Sequence, residues 1–133
     1  MDMTFSAEDA AFRTEVRNYL AAAMPAALKF KVDNGIEMQR EDVVAWHKIL
    51  YDKGWVAPNW PKEYGRPGWS LTQKYIFDEE LAQAGAPRLV VFGINMCGPV
   101  LIGFGTKEQQ ERFLPPMLSG EHIWCQGYSE PEA

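Results

Sequence analysis

Apolar and polar residues alternate along most of the chain with the period of an amphipathic helix. The first such segment begins at Ser6, which can form a capping box with Asp9. A second covers about residues 40–53, and Gly54 follows it at the position of a left-handed C-terminal cap. Between them Pro25 disturbs the pattern, and a turn is predicted at Asp-Asn-Gly. The predicted inward faces are Phe12, Val16, Tyr19 and Leu20 in the first helix, and Val43, Trp46, Ile49 and Leu50 in the second.

Residues 55–69 are predicted to form an ordered loop. Three prolines and two glycines prevent a helix there, whereas three tryptophans and a tyrosine would pin the loop to the body of the protein. A third helix then begins with a second capping box, formed by Ser70 and Gln73, and ends at Gly85. Its predicted inward residues are Tyr75, Ile76, Leu81 and Ala82.

The fourth predicted helix covers about residues 89–104, and no charged residue occurs between Arg88 and Lys107. The stretch is short for a membrane span and contains several glycines and a proline. Because it is apolar on all sides, we expect a buried helix in the middle of a bundle. Gly93 and Gly98 are interpreted as allowing neighbouring helices to approach closely.

The fifth predicted helix begins with a capping box formed by Thr106 and Gln109. Pro115 and Pro116 are expected to kink or end it, and the Ser-Gly pair that follows closes it. The apolar residues 123–128 then run into a Ser-Glu-Pro turn, which is typical of a strand that begins a second module. The predicted fold class is all-α: a helical bundle with a short C-terminal strand or extended tail.

Composition and charge narrow the range of possible functions. A formal net charge of −5 argues against nucleic-acid binding, which depends on Lys and Arg neutralising phosphates. No secretory signal is visible, so a cytoplasmic location is expected. The two cysteines are interpreted as reduced thiols, with one disulfide as the alternative. His47 is predicted on the solvent side of the second helix, and neither it nor His122 has a partner at metal-ligand spacing. Glu79 and Glu80 are interpreted as solvated or capping charges, with room for one structural ion pair.

Three sequence features follow one another in a fixed order. The first is Gly54-Trp55 with the Pro-Lys-Glu-Tyr-Gly of residues 61–65, and the second is Glu-Glu-Leu-Ala at residues 79–82. The third runs from Gly-Thr-Lys-Glu-Gln-Gln at residues 105–110, through Phe-Leu-Pro and Ser-Gly, to Tyr-Ser-Glu-Pro-Glu-Ala at residues 128–133. With these features the chain resembles the N-terminal part of the acyl-CoA dehydrogenase family.

This resemblance implies a helical domain over residues 1–120 and the incomplete start of a middle β-domain over residues 121–133. Members of the family bind FAD and oxidise an acyl-CoA thioester to its 2,3-enoyl form. They pass the electrons to an electron-transfer flavoprotein and are usually homo-oligomers. The family's catalytic glutamate lies further downstream, so no catalytic residue is assigned here. The chain alone is expected to be inactive and to retain little or no FAD.

The resemblance also implies contacts to the flavin from the tail and to the acyl chain from the fourth helix. The candidate flavin-binding residues are Gln126, Tyr128 and Ser129. The candidate acyl-binding residues are Val91, Phe92, Asn95 and Met96. From the residues alone, Ser129 could instead make a local bond within its turn, and each of the four helical residues could simply pack in the core.

Two other functions stay open from the sequence: a stand-alone helical interaction or dimerisation module, and part of a flavin-dependent acyl-CoA oxidase. Straight, branched, aromatic and steroid-derived thioesters are all compatible with the residues. An unpaired strand at residues 123–128 would present open backbone groups, so it is expected either to pair with a second copy or to lie disordered.

Overall fold

The computed structural model describes residues 4–64 and 67–132, and its regular elements are helical. They are α1 (Ala7–Ala23), α2 (Ala26–Asp33), α3 (Arg40–Asp52), a 3₁₀ turn (Lys62–Tyr64), α4 (Leu71–Gln83), a π-helical segment (Phe92–Cys97), α5 (Gly98–Phe104) and α6 (Lys107–Ser119). The described parts of the chain contain no strand, and the predicted all-α class is confirmed. Gly65 and Ala133 of the family-like sequence features lie outside the described residues.

Side-chain caps begin three of the helices as the sequence predicts. Ser6, Ser70 and Thr106 each accept a hydrogen bond from the backbone N–H three residues further on, at 3.1–3.2 Å. In α4 and α6, the side-chain oxygen of the glutamine at the third helical position in turn accepts the backbone N–H of the capping residue, at 3.0 and 2.9 Å. These reciprocal bonds satisfy amides that the first helical turn would otherwise leave unpaired.

The sequence pattern does not predict α2. Pro25, interpreted above as a disturbance, instead starts this helix, because its carbonyl accepts the N–H groups of Leu28 and Lys29 at 3.0 and 3.1 Å. Its fixed φ suits the first turn of a helix. Leu28 is buried in the core. A helix of eight residues with one buried side chain is too short to produce a recognisable period.

Helix α6 continues through Pro115 and Pro116 and ends at Ser119. The prolines cost the helix two N–H donors, but they do not end it, which was one of the two predicted outcomes. Leu114 and Met117 lie on either side of the pair and are almost completely buried, and this packing holds the helix together. The chain then leaves α6 at the predicted glycine, in a left-handed conformation.

A buried carboxylate lies where α1 packs against α4. The side chain of Glu80 is 2% exposed and accepts hydrogen bonds from Arg17 Nε and Nη2, both at 2.8 Å, and from Arg13 Nη1 at 3.0 Å. Arg13 also pairs with the partly exposed Glu79 at 2.6 Å. The bonds from Arg17 are the main reason that the pKa of Glu80 lies below its ordinary value, against the opposing effect of burial. The prediction of a solvated Glu80 is therefore wrong.

The inward face of α4 differs from the predicted one. It runs through Ile76, Phe77 and Glu80, whereas Tyr75 and Ala82 are exposed, contrary to prediction. The difference arises because the charged residue Glu80 occupies a core position. The buried face of α4 therefore does not coincide with the face that the apolar residues alone indicate. Only a partner helix that supplies two arginines makes that position acceptable.

The loop between α3 and α4 packs its aromatic rings onto both α1 and α4. Trp55 and Trp69 have ring centroids 5.4 Å apart, and they contact the ring of Phe77 at 5.7 and 4.9 Å. Phe12 and Tyr19 of α1 extend this cluster at 5.0 and 4.9 Å. For residues 55–64 and 67–69, the prediction of an aromatic loop packed on the body of the protein is confirmed, and these mostly edge-on contacts form much of the core.

The uncharged stretch does not lie in the middle of the bundle. Within it Gly93, Ile94 and Gly98 are buried, but Met96 and Phe104 are 52% and 90% exposed. The prediction of a central helix is wrong, because one apolar face of this stretch has no covering partner among residues 4–64 and 67–132. In the same described residues, no helix combines the length and the apolar character needed to cross a bilayer.

Candidate functional site

The π-helical segment has an identifiable cause. The N–H of Gly98 donates to the carbonyl of Gly93, five residues back, and Pro99 has no N–H to offer Ile94. The carbonyl of Ile94 is instead satisfied by the indole N–H of Trp60, at 2.7 Å. A Cβ on Gly98 would lie 2.2 Å from Cζ2 of Trp60, so the close approach requires glycine. A close approach at Gly98 was predicted, but the group that approaches it is the loop residue Trp60 and not a neighbouring helix.

Three of the four candidate acyl-binding residues lie within the π-helical segment and Val91 directly precedes it, but the four do not converge on one cavity. Val91 and Asn95 line a shallow cavity of about 150 Å³ beside Asp78 and Trp55. Phe92 is half-buried and Met96 is exposed, and neither lines that cavity. Their assignment to the acyl chain stays a prediction.

The tail leaves α6 through a tightly held corner. His47 is buried, with 3% exposure, and its Nε2–H donates to the carbonyl of Leu118 at 2.8 Å. The backbone N–H of His122 donates to the carbonyl of Pro116 at 3.0 Å. Burial lowers the pKa of His47, and the bond to Leu118 opposes that shift. The prediction of a solvent-facing His47 is wrong, because the end of α6 covers this side of α3.

Trp124 docks the tail onto the bundle. Its ring meets that of Phe113 edge-on, with centroids 5.8 Å apart at 81°. On its other side it reaches Gly93, since a Cβ there would lie 3.0 Å from Cδ1 of Trp124 and 3.0 Å from Cγ of Met117. The indole N–H of Trp124 is buried and has no hydrogen-bond partner among the described residues. The tail thus begins packed on the bundle through Trp124, which differs from the predicted unpaired strand. Pairing with a second copy stays a prediction.

The three candidate flavin-binding residues follow directly after this anchor. Gln126, Tyr128 and Ser129 are all exposed, and in the described parts of the chain their side chains make no hydrogen bond or ion pair. An amide and two hydroxyls, all able to donate, are therefore available to an external acceptor. This donor set fits the carbonyl and nitrogen acceptors along one edge of a flavin ring.

Other chemistry finds little support in the described residues. Among residues 4–64 and 67–132, no three His, Cys, Asp or Glu side chains could share a metal ion. Cys97 and Cys125 are free thiols, and burial raises the pKa of Cys97. Burial also raises the pKa of Asp78 beside the small cavity.

A sequence profile described as "Acyl-CoA dehydrogenase, N-terminal domain" matches residues 6–121. The chain belongs to the acyl-CoA dehydrogenase family. "Acyl-CoA dehydrogenase IpdE1" of Mycolicibacterium smegmatis is 45% identical to it over 92% of this chain and 32% of its own length.

Two solved structures have the same fold as this chain. The "Tcur3481-Tcur3483 steroid ACAD" is 34% identical with a TM-score of 0.82, covering 100% of this chain and 34% of its own. The "ChsE4-ChsE5 complex from Mycobacterium tuberculosis" is 32% identical with a TM-score of 0.77, covering 100% and 33%. The chain therefore spans about a third of the length of the relatives that it matches.

Sequence reasoning missed the residues that join the two parts of this candidate site. Trp60 supports the π-helical segment, and Trp124 fastens the tail to it through Gly93. Only the glycines carried a signal, because a buried glycine in an apolar stretch often marks a close approach. Which side chain fills the space could not be read from the sequence, because both tryptophans lie outside that stretch.

Proposed function

We propose that the protein containing this chain is a FAD-dependent acyl-CoA dehydrogenase, to which the chain contributes the helical domain and one edge of the flavin site. The observation that supports this most is the match of residues 6–121 to the family's N-terminal domain. The unpaired donors of the tail and the uncovered apolar helix face agree with it. The ranges 1–120 and 121–133 are proposed as the helical domain and the start of the β-domain.

The reaction removes two hydrogens from the acyl group. A base takes the α-proton, the β-hydrogen leaves as hydride, and a 2,3-enoyl thioester is formed. FAD, when bound, would accept the hydride. The chain's own contribution is to hold the ring with Tyr128, Ser129 and Gln126, whose donors would stabilise the negative charge that the reduced ring gains. The base is proposed to belong to the part of the family's sequence that this chain does not span.

We propose a ring-bearing acyl group, of the steroid-derived class, as the substrate. This rests on the solved relative named as a steroid dehydrogenase, which covers the whole of this chain at 34% identity. The open apolar face at Met96, Val100 and Phe104 would accept a bulky ring system, and it offers no charge that would oppose one. An electron-transfer flavoprotein is the proposed acceptor, and association with further acyl-CoA dehydrogenase subunits is the proposed assembly.

The test uses the protein expressed from the complete reading frame that encodes this chain. We expect a yellow protein whose flavin absorbance bleaches under anaerobic conditions when a steroid-ring CoA thioester is added, and bleaches more slowly with octanoyl-CoA. Faster bleaching with octanoyl-CoA would reject the substrate class alone. Rapid peroxide formation in air would favour the oxidase alternative. A colourless protein that forms a defined oligomer would favour the interaction module.

Variants of the tail test the flavin edge directly. Ser129→Ala and Tyr128→Phe each remove one hydroxyl, and Tyr75→Phe removes an exposed hydroxyl from α4 as the matched control. A hydrogen bond to a charged group contributes about 1.5–3 kcal/mol, so FAD affinity should fall about 10- to 100-fold when the lost bond is of that kind. FAD affinity and the flavin redox potential are measured by reconstitution and titration. Tail variants that match Tyr75→Phe in both would contradict the assignment.

A further inference from the structure

We infer that the contact between Gly93 and Trp124 is a positioning contact that sets where the flavin edge lies relative to the acyl-binding helix. The inference rests on the proposed function. Neither residue is assigned to the flavin or the acyl group. Their role follows from what each one is attached to.

The two residues belong to the two candidate half-sites. Gly93 lies within the π-helical segment, between the candidate acyl-binding residues Phe92 and Asn95. Trp124 precedes the candidate flavin-binding residue Gln126 by two positions. An extended chain advances at most about 3.6 Å per residue, so the flavin donors stay within about 18 Å of the Trp124 anchor. A displacement of the indole is therefore passed on to them over a short stretch of chain.

Both partners are held firmly on their far sides. The π-helical segment is fixed by the bond from Trp60 to the carbonyl of Ile94, at 2.7 Å. The tail is fixed before Trp124 by the bond between the His122 N–H and the Pro116 carbonyl, at 3.0 Å. The space between them is nearly filled, since the residual cavity beside Gly93 and Trp124 measures only about 10 Å³. Because the space between the partners is filled, added volume has to displace one of them, and Trp124, which is only partly buried, is the one that can move outward.

A single methyl group is enough to disturb the contact. A Cβ on Gly93 would lie 3.0 Å from both Trp124 Cδ1 and Met117 Cγ, closer than carbon atoms normally approach. Met117 is 1% exposed and has little space into which to withdraw. Gly93→Ala should thus push the indole outward and carry the tail with it.

The experiment compares Gly93→Ala, Trp124→Val and the double variant in the protein from the complete reading frame. Valine has no δ atom, so it removes the collision with the new methyl group, and it suits an extended segment. The lost indole N–H has no partner among the described residues, so its removal breaks no hydrogen bond there. Gly103→Ala is the control, because a Cβ at that position meets nothing within 4 Å.

We expect Gly93→Ala to lower kcat about tenfold or more with KM within about twofold, since small misplacements of reacting groups cost this much. The flavin absorption maximum and redox potential should shift as well. In the double variant the losses should be smaller than the sum of the single losses, in both kcat and melting temperature. A purely structural contact would lower the melting temperature and leave the flavin spectrum and the kcat of the folded protein unchanged.

The outcomes separate this inference from the proposed function. If the parent protein is yellow and active but Gly93→Ala behaves like Gly103→Ala in spectrum and kcat, the inference alone is overturned. If the parent protein is colourless and inactive, the proposed function fails and takes the inference with it. Should Gly93→Ala not fold, Trp124→Val carries the test with the same readouts, and an unchanged kcat and spectrum would again reject the positioning role.

Discussion

Two regions of the molecule differ in how many of their charged, polar and apolar side chains find partners within the chain. They are the interface between α1 and α4 and the stretch from residue 91 to the tail. In the first region, the negative charge of Glu80 is paired with two arginines, and the loop tryptophans pack against the ring of Phe77. In the second, Phe104 is 90% exposed and Tyr128 is 85% exposed. In the first region, the buried charge and the buried rings find their partners within the chain. The second leaves both apolar area and hydrogen-bond donors open, which indicates where other parts of a protein or a ligand would bind.

The comparison is tested most strongly by removing the ring of Phe77. This residue is 2% exposed and contacts two tryptophans, so Phe77→Ala should cost about 3–5 kcal/mol of unfolding free energy by loss of burial and creation of a cavity. Chemical denaturation of the 133-residue chain measures it. A cost below about 1 kcal/mol would show that the aromatic cluster is not a core.

The next largest effect should come from Gly98, with Gly103 in the same helix as its matched control. A methyl group on Gly98 would lie 2.2 Å from Trp60, whose indole is tied to Ile94, so Gly98→Ala should destabilise the chain by about 1–3 kcal/mol or more. Gly103→Ala meets open space and should stabilise α5 by up to about 1 kcal/mol through its higher helix propensity. Denaturation midpoints of the two variants should therefore move in opposite directions. Equal shifts would mean that Trp60 does not press on the helix.

A smaller effect, with a distinct pH dependence, is expected for Glu80→Gln. The variant keeps the shape but removes the charge that two arginines share, and because Arg17 is more than half exposed, solvent screens part of the loss. We expect a cost of about 1–2 kcal/mol at pH 7. Glu79→Gln is the control and should cost less, because that side chain is 33% exposed and pairs with only one arginine.

The sign of the pH dependence follows from the lowered pKa of Glu80 in the folded state. The ionised Glu80 contributes fully to the free energy of unfolding above the ordinary glutamate pKa of about 4.3. This contribution is lost as the pH falls through the lowered pKa of the folded state. The difference between parent and Glu80→Gln should therefore shrink below pH 4.3 and stay constant above it. A difference that grows on acidification would contradict the ion-pair arrangement.

The sequence alone was sufficient at three helix starts that local capping decides, although it missed the local start of α2 at Pro25. Capping residues placed the starts of α1, α4 and α6, and the ordered family motifs led to the correct family. Sequence reasoning failed where a residue that is distant in the sequence determines whether a side chain is buried. Glu80 and His47 were both interpreted as solvent-facing polar residues, because nothing local reveals the arginines of α1 or the end of α6 that cover them.

The candidate site divides in the same way. A motif indicated Ser129 and its neighbours as flavin contacts, but it carried no information on how the tail is held. Gly93 and Trp124 are 31 positions apart in the sequence, and their contact depends on the path of the chain around Gly120. The apolar pattern of residues 89–104 likewise showed that this stretch seeks apolar contacts, but not that part of them must come from outside the described chain.

The smallest expected effect is that of Phe104→Ala, which tests whether the exposed apolar face is covered in the complete protein. Phe104→Ala removes a ring of the same size as Phe77→Ala, but the ring is 90% exposed, so the 133-residue chain should change by no more than about 0.5 kcal/mol. If the proposed function is right, the complete protein covers this face, and the same substitution there should cost more than about 1 kcal/mol, because burial of such a ring contributes about 1.5–3 kcal/mol. The measurement is the stability difference between variant and parent in each of the two proteins. An equally small effect in both would mean that Phe104 stays in water in the complete protein as well, and that no further part of that protein covers the open face at this position.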